Sequence, residues 1–485
     1  MKKTKVVCTL GPACEEVETI KDMLSAGMNA ARLNFSHGDH KEHRMRLQNF
    51  IQAREELGVA AAVILDTKGP EIRIGKVRNG SLLLEENRKF YLSCHCGEAA
   101  ESDMMVSVSY KNLCSEVDKG DVILIDDGKI ELKVDYVENR IIKCTVVRGG
   151  YISSNKGVNV PGVQLNFDYL TDRDRKDLLF GIKNRINYIA ASFIRCKKDV
   201  TDIREFLDEN GGQHIKIISK IENREGIENF DEILQVSDGI MIARGDMGVE
   251  ISYYKLPGIQ KKIISKCNEC GKIVITATQM LDSMTQSLMP TRAEITDVAN
   301  AVFDGSSAVM LSGESAAGRY PVETVKAMTQ IISRAEADSE MISSGEINRT
   351  STAEIRECIS DAIGHSACTM AKDLKAAALV AVTASGYTAQ KMSKFRPKQP
   401  VFAVTASTGT YHDMSLVRGV YPVLTEKNND WKLMYEAALK KISGRLSLNC
   451  GDRIIVSAGI PINIEGNTNM IKIETVETGD LNRGA

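Results

Sequence analysis

No uninterrupted apolar stretch in the 485 residues approaches the ~20 that a membrane-spanning helix needs, so no membrane partner is expected. Charge of one sign is equally scarce. Sixty-two Lys and Arg stand against 64 Asp and Glu, a net charge of −2. That removes the electrostatic case for nucleic acid or an anionic membrane as partner. The twelve cysteines follow no framework spacing, as expected of a reducing cytoplasm. Cys267 with Cys270, and Cys94 with Cys96, form short pairs that lack a well-spaced second pair, which argues against zinc. The histidines form no cluster for zinc, and no Ser-His-Asp order stands out.

The standard phosphate loops are missing too. GPEIRIGKV (69–77) resembles a P-loop, but five residues separate its glycines and Val77 follows the lysine. The pattern needs four, then Ser or Thr. There is no G-x-G-x-x-G, no internal repeat beyond β-α alternation, and no low-complexity segment. The start, MKKTKVVCTLGPACEEVE, has the basic tip of a signal peptide. Gly11 and Pro12 break its apolar run, which then turns acidic, so it reads as a first strand.

What is present is alternation. KVVCTL (5–10), AARLNFS (30–36), the run over 60–67, YIAASF (188–193), IKIISKIE (215–222), GIMIARGD (239–246), KIVITAT (272–278) and SSAVMLSG (306–313) are strand-like, each followed by a helical segment. Eight β-α units of this total length predict a (β/α)8 barrel. Residues 72–168 break the alternation with KFYLSC, DVILID, KIELKVDYV and IIKCTVV between turns. They read as an all-β insertion after the third strand. From about 351, AALVAVTASG, QPVFAVTAS, GVYPVL and DRIIVSAG read as a separate α/β unit. The expected division is a barrel over 1–70 and 169–345, a lid over 71–168 and a C-terminal domain over 346–485.

In such a barrel catalytic groups sit at the C-terminal ends of the strands, and polar residues recur there. Strand two ends in Arg32, Asn34, Ser36 and His37; strand three in Asp66, Thr67 and Lys68, with Arg73 soon after. Strand five ends in Lys220 and Glu222, strand six in Arg244 and Asp246, strand seven in Thr276 and Thr278, strand eight in Ser312 and Glu314. Lys220 and Glu222 lie two apart and share a face. Glu222 and Asp246 are hard oxygen donors from neighbouring strands, too few for a full cage. They suit Mg²⁺ or Mn²⁺ completed by substrate and water. Arg32, Arg73 and Lys220 supply fixed positive charge for a phosphorylated anion. Together these point to phosphoryl transfer, or to stabilising an enolate beside a carboxylate. Each residue alone has a structural explanation: an ordinary Lys/Glu pair, a turn cap at Asp246, Arg32 neutralising Asp66. Their shared location favours a pocket.

From about residue 3 to 475 the chain resembles pyruvate kinases. The resemblance rests on TLGPA (9–13), GMNAARLNFSHG (27–38), LDTKGPEIR (65–73), NVPG (159–162), ASFIR (191–195), IKIISKIENREGI (215–227), IMIARGDMG (240–248), TATQML (276–281), PTRAEITDVANAVFDG (290–305) and LSGESAAGRYP (311–321). It implies transfer of the phosphoryl group of phosphoenolpyruvate to ADP, then protonation of the enolate to pyruvate. It implies that Lys220 stabilises the phosphoryl group and the enolate, and that Glu222 and Asp246 hold the divalent ion. Thr278 matches the threonine near the protonated face, Ser312 a serine of a water-mediated proton relay, and Gly245 a backbone donor to the substrate carboxylate. Arg32 and Arg73 match phosphate-binding arginines, with Arg73, His37 and Asn34 towards the nucleotide. Asn34, Ser36, Asp66 and the carbonyl of Thr67 match a K⁺ site, and Glu71 matches the residue that accompanies K⁺ dependence. The β insertion matches a water-excluding lid, hinged near Pro70 and Asn166–Asp168. A homotetramer is implied as well.

The chain departs from the family pattern in two places. Cys196 stands where many members have a nucleotide-binding lysine, and LNFDYLT replaces a proline-containing hinge, which leads one to expect a looser hinge. In the last unit, TASGYTA (383–389) resembles a sugar-phosphate effector loop through Thr383, Ser385, Gly386 and Thr388. A plain helix cap is the alternative. The facing loop, 459–469, carries Glu465 and no arginine, which favours a monophosphate or AMP over a bisphosphate. Two rival functions are a Mg²⁺-dependent aldolase or decarboxylase acting on a pyruvate enolate, and a silent metabolite sensor.

Overall fold

Runs such as KVVCT, AVILD, GIMIA and IVITA are buried along their whole length, the signature of parallel strands covered on both faces. The computed structural model of the chain describes residues 1–77, 80–95, 104–345, 358–462 and 466–477. Eight strands close into a barrel: β1 (Lys5–Thr9), β2 (Ala30–Asn34), β3 (Ala62–Asp66), β4 (Tyr188–Ala191), β5 (Lys216–Ile221), β6 (Gly239–Ala243), β7 (Ile273–Ala277) and β8 (Ala308–Leu311). Every neighbour pair is parallel, and β8 returns to β1 through Lys5↔Ala308. The period of two sorts the side chains. Val6, Leu33, Val63, Ile217 and Ile240 pack with the surrounding helices, while Val7, Ile64, Ile218, Met241 and Met310 form the alternate set.

The strands stop earlier than the polar motifs suggested. The RGD of GIMIARGD lies in the first turn of the helix Arg244–Glu250 rather than on β6. Asp246 is therefore a residue of a helix start, where the backbone dipole favours negative charge.

Between β3 and β4 the chain builds a seven-stranded sheet and a two-stranded ribbon. They enclose a separate core of Ile74, Phe90, Leu92, Ile123, Leu132 and Ile142. The backbone N–H of Gly69 donates to Asp174 Oδ1 at 3.0 Å where the chain leaves the barrel. Asp174 also closes the capping box that Thr171 opens at the start of the helix Asp172–Lys183, of which it is the third residue. At the return crossing Arg195 donates to the carbonyls of Leu165 (2.9 Å) and Phe167 (3.2 Å), and its guanidinium lies 4.3 Å from the Phe167 ring. Tyr110 adds a hydrogen bond to the Asn166 carbonyl at 3.2 Å. Side-chain contacts to the backbone thus hold this crossing.

The C-terminal unit is a five-stranded sheet ordered 420–424, 401–405, 378–382, 453–458, 470–475. Four strands are parallel. The edge strand Met470–Thr475 runs antiparallel and is absent from the sequence reading. This unit docks where the barrel strands begin. Asp413 accepts from Lys216 Nζ (2.7 Å) and Asn187 Nδ2 (2.6 Å), and Lys5 Nζ donates to the Val420 carbonyl at 2.6 Å. The opposite end of the barrel stays open beneath the inserted sheets. No described helix is long and apolar enough to cross a membrane.

Candidate active site

At the C-terminal ends of the strands the cations and carboxylates meet. Lys220, on β5, places Nζ 2.9 Å from Glu222 Oε1, 3.1 Å from Asp66 Oδ1 and 2.7 Å from Ser192 Oγ. Arg32, on β2, closes the other side of Asp66 with Nε 2.6 Å from Oδ2, and donates to Thr9 Oγ1 at 3.0 Å. All four ionised groups are buried. Burial pushes the Lys220 ammonium towards losing its proton, but Asp66 and Glu222 more than reverse that and hold it charged. Burial works against the Asp66 carboxylate too, yet Arg32 and Lys220 pull it below its usual range.

Glu222 is the exception. Burial lifts its carboxyl to about 7 against the pull of Lys220, and the charges of Asp246 and Asp66 add to the rise. Its Oε2 accepts the Phe193 N–H at 2.6 Å, and Phe193 adopts a positive φ of 56°, an unusual conformation for a bulky residue. Its Oε1 has no hydrogen-bond partner of sound geometry, although Lys220 Nζ is close. A buried carboxylate whose Oε1 meets only the Lys220 ammonium, and which is crowded by like charge, is a fitting ligand for a cation. Among the described residues no group of three or more His, Cys, Asp or Glu could hold a metal. Two carboxylates, Glu222 and Asp246, are donors suited only to an ion that takes most of its ligands from elsewhere.

The four K⁺ candidates fit a hard monovalent cation in being all-oxygen, though three are shared. Asn34 and Asp66 are register partners. Asn34 Oδ1 accepts the Ser36 N–H at 3.1 Å, and the Thr67 carbonyl accepts from Ser192 Oγ at 2.7 Å.

On the far side, Thr278 and Gln279 both have positive φ, 66° and 54°. Such strain gathers at functional sites. Arg244 holds this turn, donating to the carbonyls of Ala277 (3.2 Å) and Thr278 (2.6 Å) while pairing with Asp297 at 2.7 Å. The Gly245 N–H donates to Thr278 Oγ1 at 2.9 Å, which pre-aligns both groups. Ser312 Oγ is buried without a partner, while Glu314 accepts the backbone N–H groups of Ser312 (2.7 Å) and Leu281 (3.1 Å).

Arg73 stands apart from this cluster. It lies on the inserted strand Ile72–Arg73 and pairs with Glu71 at 2.7 Å and the Asn155 carbonyl at 2.7 Å. The His37 carbonyl accepts from His43 Nε2 at 2.8 Å. Cys196 caps the helix Lys197–Glu209 without a side-chain hydrogen bond to it. A cleft of about 500 Å³ between barrel and inserted sheets is lined by Glu71, Asn159, Arg195, Asn223, Asp246 and Glu250 among others. Arg244 and Glu314 are strand-end residues to which the sequence assigns no role, and Ser192 and Phe193, also central to this geometry, are not expected from it as site residues. The signals were present in ASFIR and in the strand-end positions of Arg244 and Glu314.

In the C-terminal loop, Thr383 Oγ1 accepts the Gly386 N–H at 2.9 Å, with Gly386 at φ 86°. Thr388 and Thr468 share a hydrogen bond of 2.7 Å across the facing loop. Ser385 lines the small pocket between these loops. Glu465 lies outside the described residues.

Comparison with known proteins gives a consistent result. Residues 1–325 match the family model described as "Pyruvate kinase, barrel domain", and residues 361–474 match "Pyruvate kinase, alpha/beta domain". A pyruvate kinase of Geobacillus stearothermophilus is 47% identical over 477 residues, covering 98% of this chain and 80% of that one. One of Clostridium acetobutylicum is 46% identical over 478 residues, covering 98% and 100%. A crystal structure of a pyruvate kinase from Cryptosporidium parvum superposes with a TM-score of 0.91 at 37% identity, covering 98% of this chain and 96% of that one.

Proposed function

The chain belongs to the pyruvate kinase family and is a phosphotransferase, and from that premise we propose how the mouth of its barrel does the work. The reaction moves the phosphoryl group of phosphoenolpyruvate to ADP, giving ATP and, after protonation of the enolate, pyruvate. Neither the aldolase or decarboxylase reading nor the silent-sensor reading finds support among its relatives. The observation that carries the assignment of roles is the buried Lys220 ammonium, held charged between Asp66 and Glu222.

Lys220 and Arg32 bind the phosphoryl group. As the P–O bond breaks, Lys220 stabilises charge on the departing enolate oxygen, in a dry site where a fixed charge acts strongly. Glu222 and Asp246 would hold Mg²⁺ or Mn²⁺, which would supply Lewis-acid stabilisation of developing negative charge. The Gly245 N–H turns from Thr278 Oγ1 to the substrate carboxylate. The Thr278 hydroxyl, which donates to the Ala277 carbonyl at 2.7 Å, lies beside the carbon that takes the proton, and Ser312 Oγ anchors a water that delivers it. Arg73, His37 and Asn34 face the nucleotide. Asn34, Ser36, Asp66 and the Thr67 carbonyl hold K⁺, whose charge offsets repulsion between two anionic substrates. The lid, 71–168, closes over a barrel of 1–70 and 169–345. The C-terminal domain, 346–485, binds a phosphorylated effector at Thr383, Ser385, Gly386 and Thr388. The working form is a cytoplasmic homotetramer.

The test is pyruvate formation from phosphoenolpyruvate, with and without ADP, at saturating Mg²⁺ and with K⁺ present or omitted. Pyruvate that needs ADP and K⁺ and is matched by ATP is expected. Pyruvate without ADP overturns the phosphotransfer reading. Full activity without K⁺ overturns the monovalent site.

A further inference from the structure

One carboxylate outside the proposed catalytic set touches three parts of the site. Glu250 ends the helix Arg244–Glu250, one turn beyond Asp246 on the same helix. Its Oε1 accepts from Asn159 Nδ2 at 3.2 Å, on the inserted strand Gly157–Asn159. Its Oε2 accepts the Arg224 N–H at 3.2 Å, two residues after Glu222. Among the described residues, Asn159–Glu250 is the one side-chain to side-chain hydrogen bond between the inserted sheets and a barrel helix. The contact continues one residue earlier. Gly128, in an inserted turn, lies so near that a Cβ there would sit 3.6 Å from Val249 Cγ1.

The strand of Asn159 has a direct line to the nucleotide side. It pairs antiparallel with the strand Ile72–Arg73, Gly157 opposite Arg73 and Val158 opposite Ile72. Fixing Asn159 therefore fixes the backbone that carries Arg73. Through its other oxygen Glu250 fixes the segment that follows Glu222, and through its own helix it is tied to Asp246. A rigid acceptor with two outward oxygens can hold three segments at once, whereas loosely docked elements leave reacting groups misplaced.

We propose that Glu250 is a positioning residue that docks the lid, through Asn159, onto the segments carrying Glu222 and Asp246. Lid closure and assembly of the carboxylate pair then become one event. The proposal rests on the active-site reading above and adds a specific latch to it. Without the latch the lid closes loosely and water enters. Water then competes with ADP for the phosphoryl group: the P–O bond of phosphoenolpyruvate breaks, water takes the phosphoryl group as orthophosphate, and the enolate is protonated to pyruvate. The signature is pyruvate in excess of ATP, balanced by orthophosphate.

The hydrogen-bond chemistry supplies a test by charge exchange. Asn159→Asp sets two carboxylates against each other. Adding Glu250→Gln restores a donor, because the Gln amide N–H reaches the Asp oxygen and its carbonyl still accepts the Arg224 N–H. Turnover, pyruvate, ATP and orthophosphate are measured for the full-length wild type, Glu250→Ala, Asn159→Asp and the Asn159→Asp/Glu250→Gln pair, with thermal midpoints alongside. Both single variants are expected to lose about 10-fold in kcat, with KM for phosphoenolpyruvate changed far less, and to release excess pyruvate. The pair is expected to recover most of the rate and the one-to-one yield. Single variants that keep wild-type kcat and yield overturn the latch, as does a pair no better than Asn159→Asp alone. If Glu250→Ala fails to fold, the Asn159→Asp comparison with the pair still decides. A wild type that makes no ADP-dependent pyruvate is a failure of the function reading, seen before any variant is compared.

Discussion

Lys220 Nζ lies 3.1 Å from Asp66 Oδ1 across 154 residues of sequence, bridging β5 to β3 past the Ser192 hydroxyl. Two carboxylates and two cations share this buried knot, so no member can be removed neutrally. Lys220→Met leaves Asp66 with Arg32 and the Ser192 hydroxyl, and Glu222 without a cation. It is expected to lower kcat by at least about 10³-fold and stability by about 3 kcal/mol. Steady-state kinetics and urea unfolding check the two effects. Wild-type stability in Lys220→Met would show that the ammonium is not needed to offset the buried carboxylates.

Glu222 makes metal-free stability depend on pH. Its carboxyl is raised to about 7, mainly by burial, above the ordinary value near 4.5. Between those values the folded state binds more protons than the unfolded state. Its contribution is therefore full below the lower value and is lost as pH rises through 7. Metal-free wild type should lose about 2–3 kcal/mol relative to Glu222→Gln between pH 4.5 and 8. Urea unfolding in chelator across that range measures the difference, and parallel profiles would count against it. Mn²⁺ binding, followed by proton relaxation, should weaken at least about 10-fold in Glu222→Gln and in Asp246→Asn.

Arg244 braces the turn that presents Thr278. With its guanidinium gone, the Thr278 carbonyl loses its donor, the Ala277 carbonyl keeps only the Thr278 hydroxyl, and Asp297 loses its partner. Arg244→Ala is expected to reduce kcat by about 10²-fold, because small misplacement of reacting groups is costly. Asp297→Asn should be milder, since it leaves the donors to the turn in place. Equal kinetics for Arg244→Ala and wild type would remove the bracing role.

His412 sits where the C-terminal domain meets the barrel, and its Nδ1 accepts the Ala61 N–H at 3.4 Å. Burial, helped by the Arg54 charge, lowers its pKa to about 3. The unfolded chain therefore binds the extra proton between about 6.5 and 3. The stabilisation is present above 6.5 and is lost as pH falls through 3. Wild type should lose about 2 kcal/mol more than His412→Gln between pH 7 and 5, read by urea unfolding. Equal losses would place the acid sensitivity of this interface elsewhere.

The sequence by itself determined the barrel, its insertion and the ring of polar strand ends. Eight apolar runs with helical segments between them admit few other architectures, and alternation alone puts Lys220 and Glu222 on one face. Hydrophobic period and turn chemistry are local, so they are legible one segment at a time. The antiparallel edge strand Met470–Thr475, with only partial burial, carried too weak a pattern to be read. Tertiary structure alone decided which strand ends meet. Closure of the parallel barrel set the register that brings Asp66 to Lys220, Arg244 to Asp297 and Leu281 to Glu314. It also decided that Arg73 pairs with Glu71 and the Asn155 carbonyl, that Gly245 already binds Thr278, and that Glu250 spans the cleft to Asn159. These are contacts between segments far apart in the chain. Their geometry follows from strand register and the packing of one layer on another, neither of which leaves a mark in a local stretch of residues.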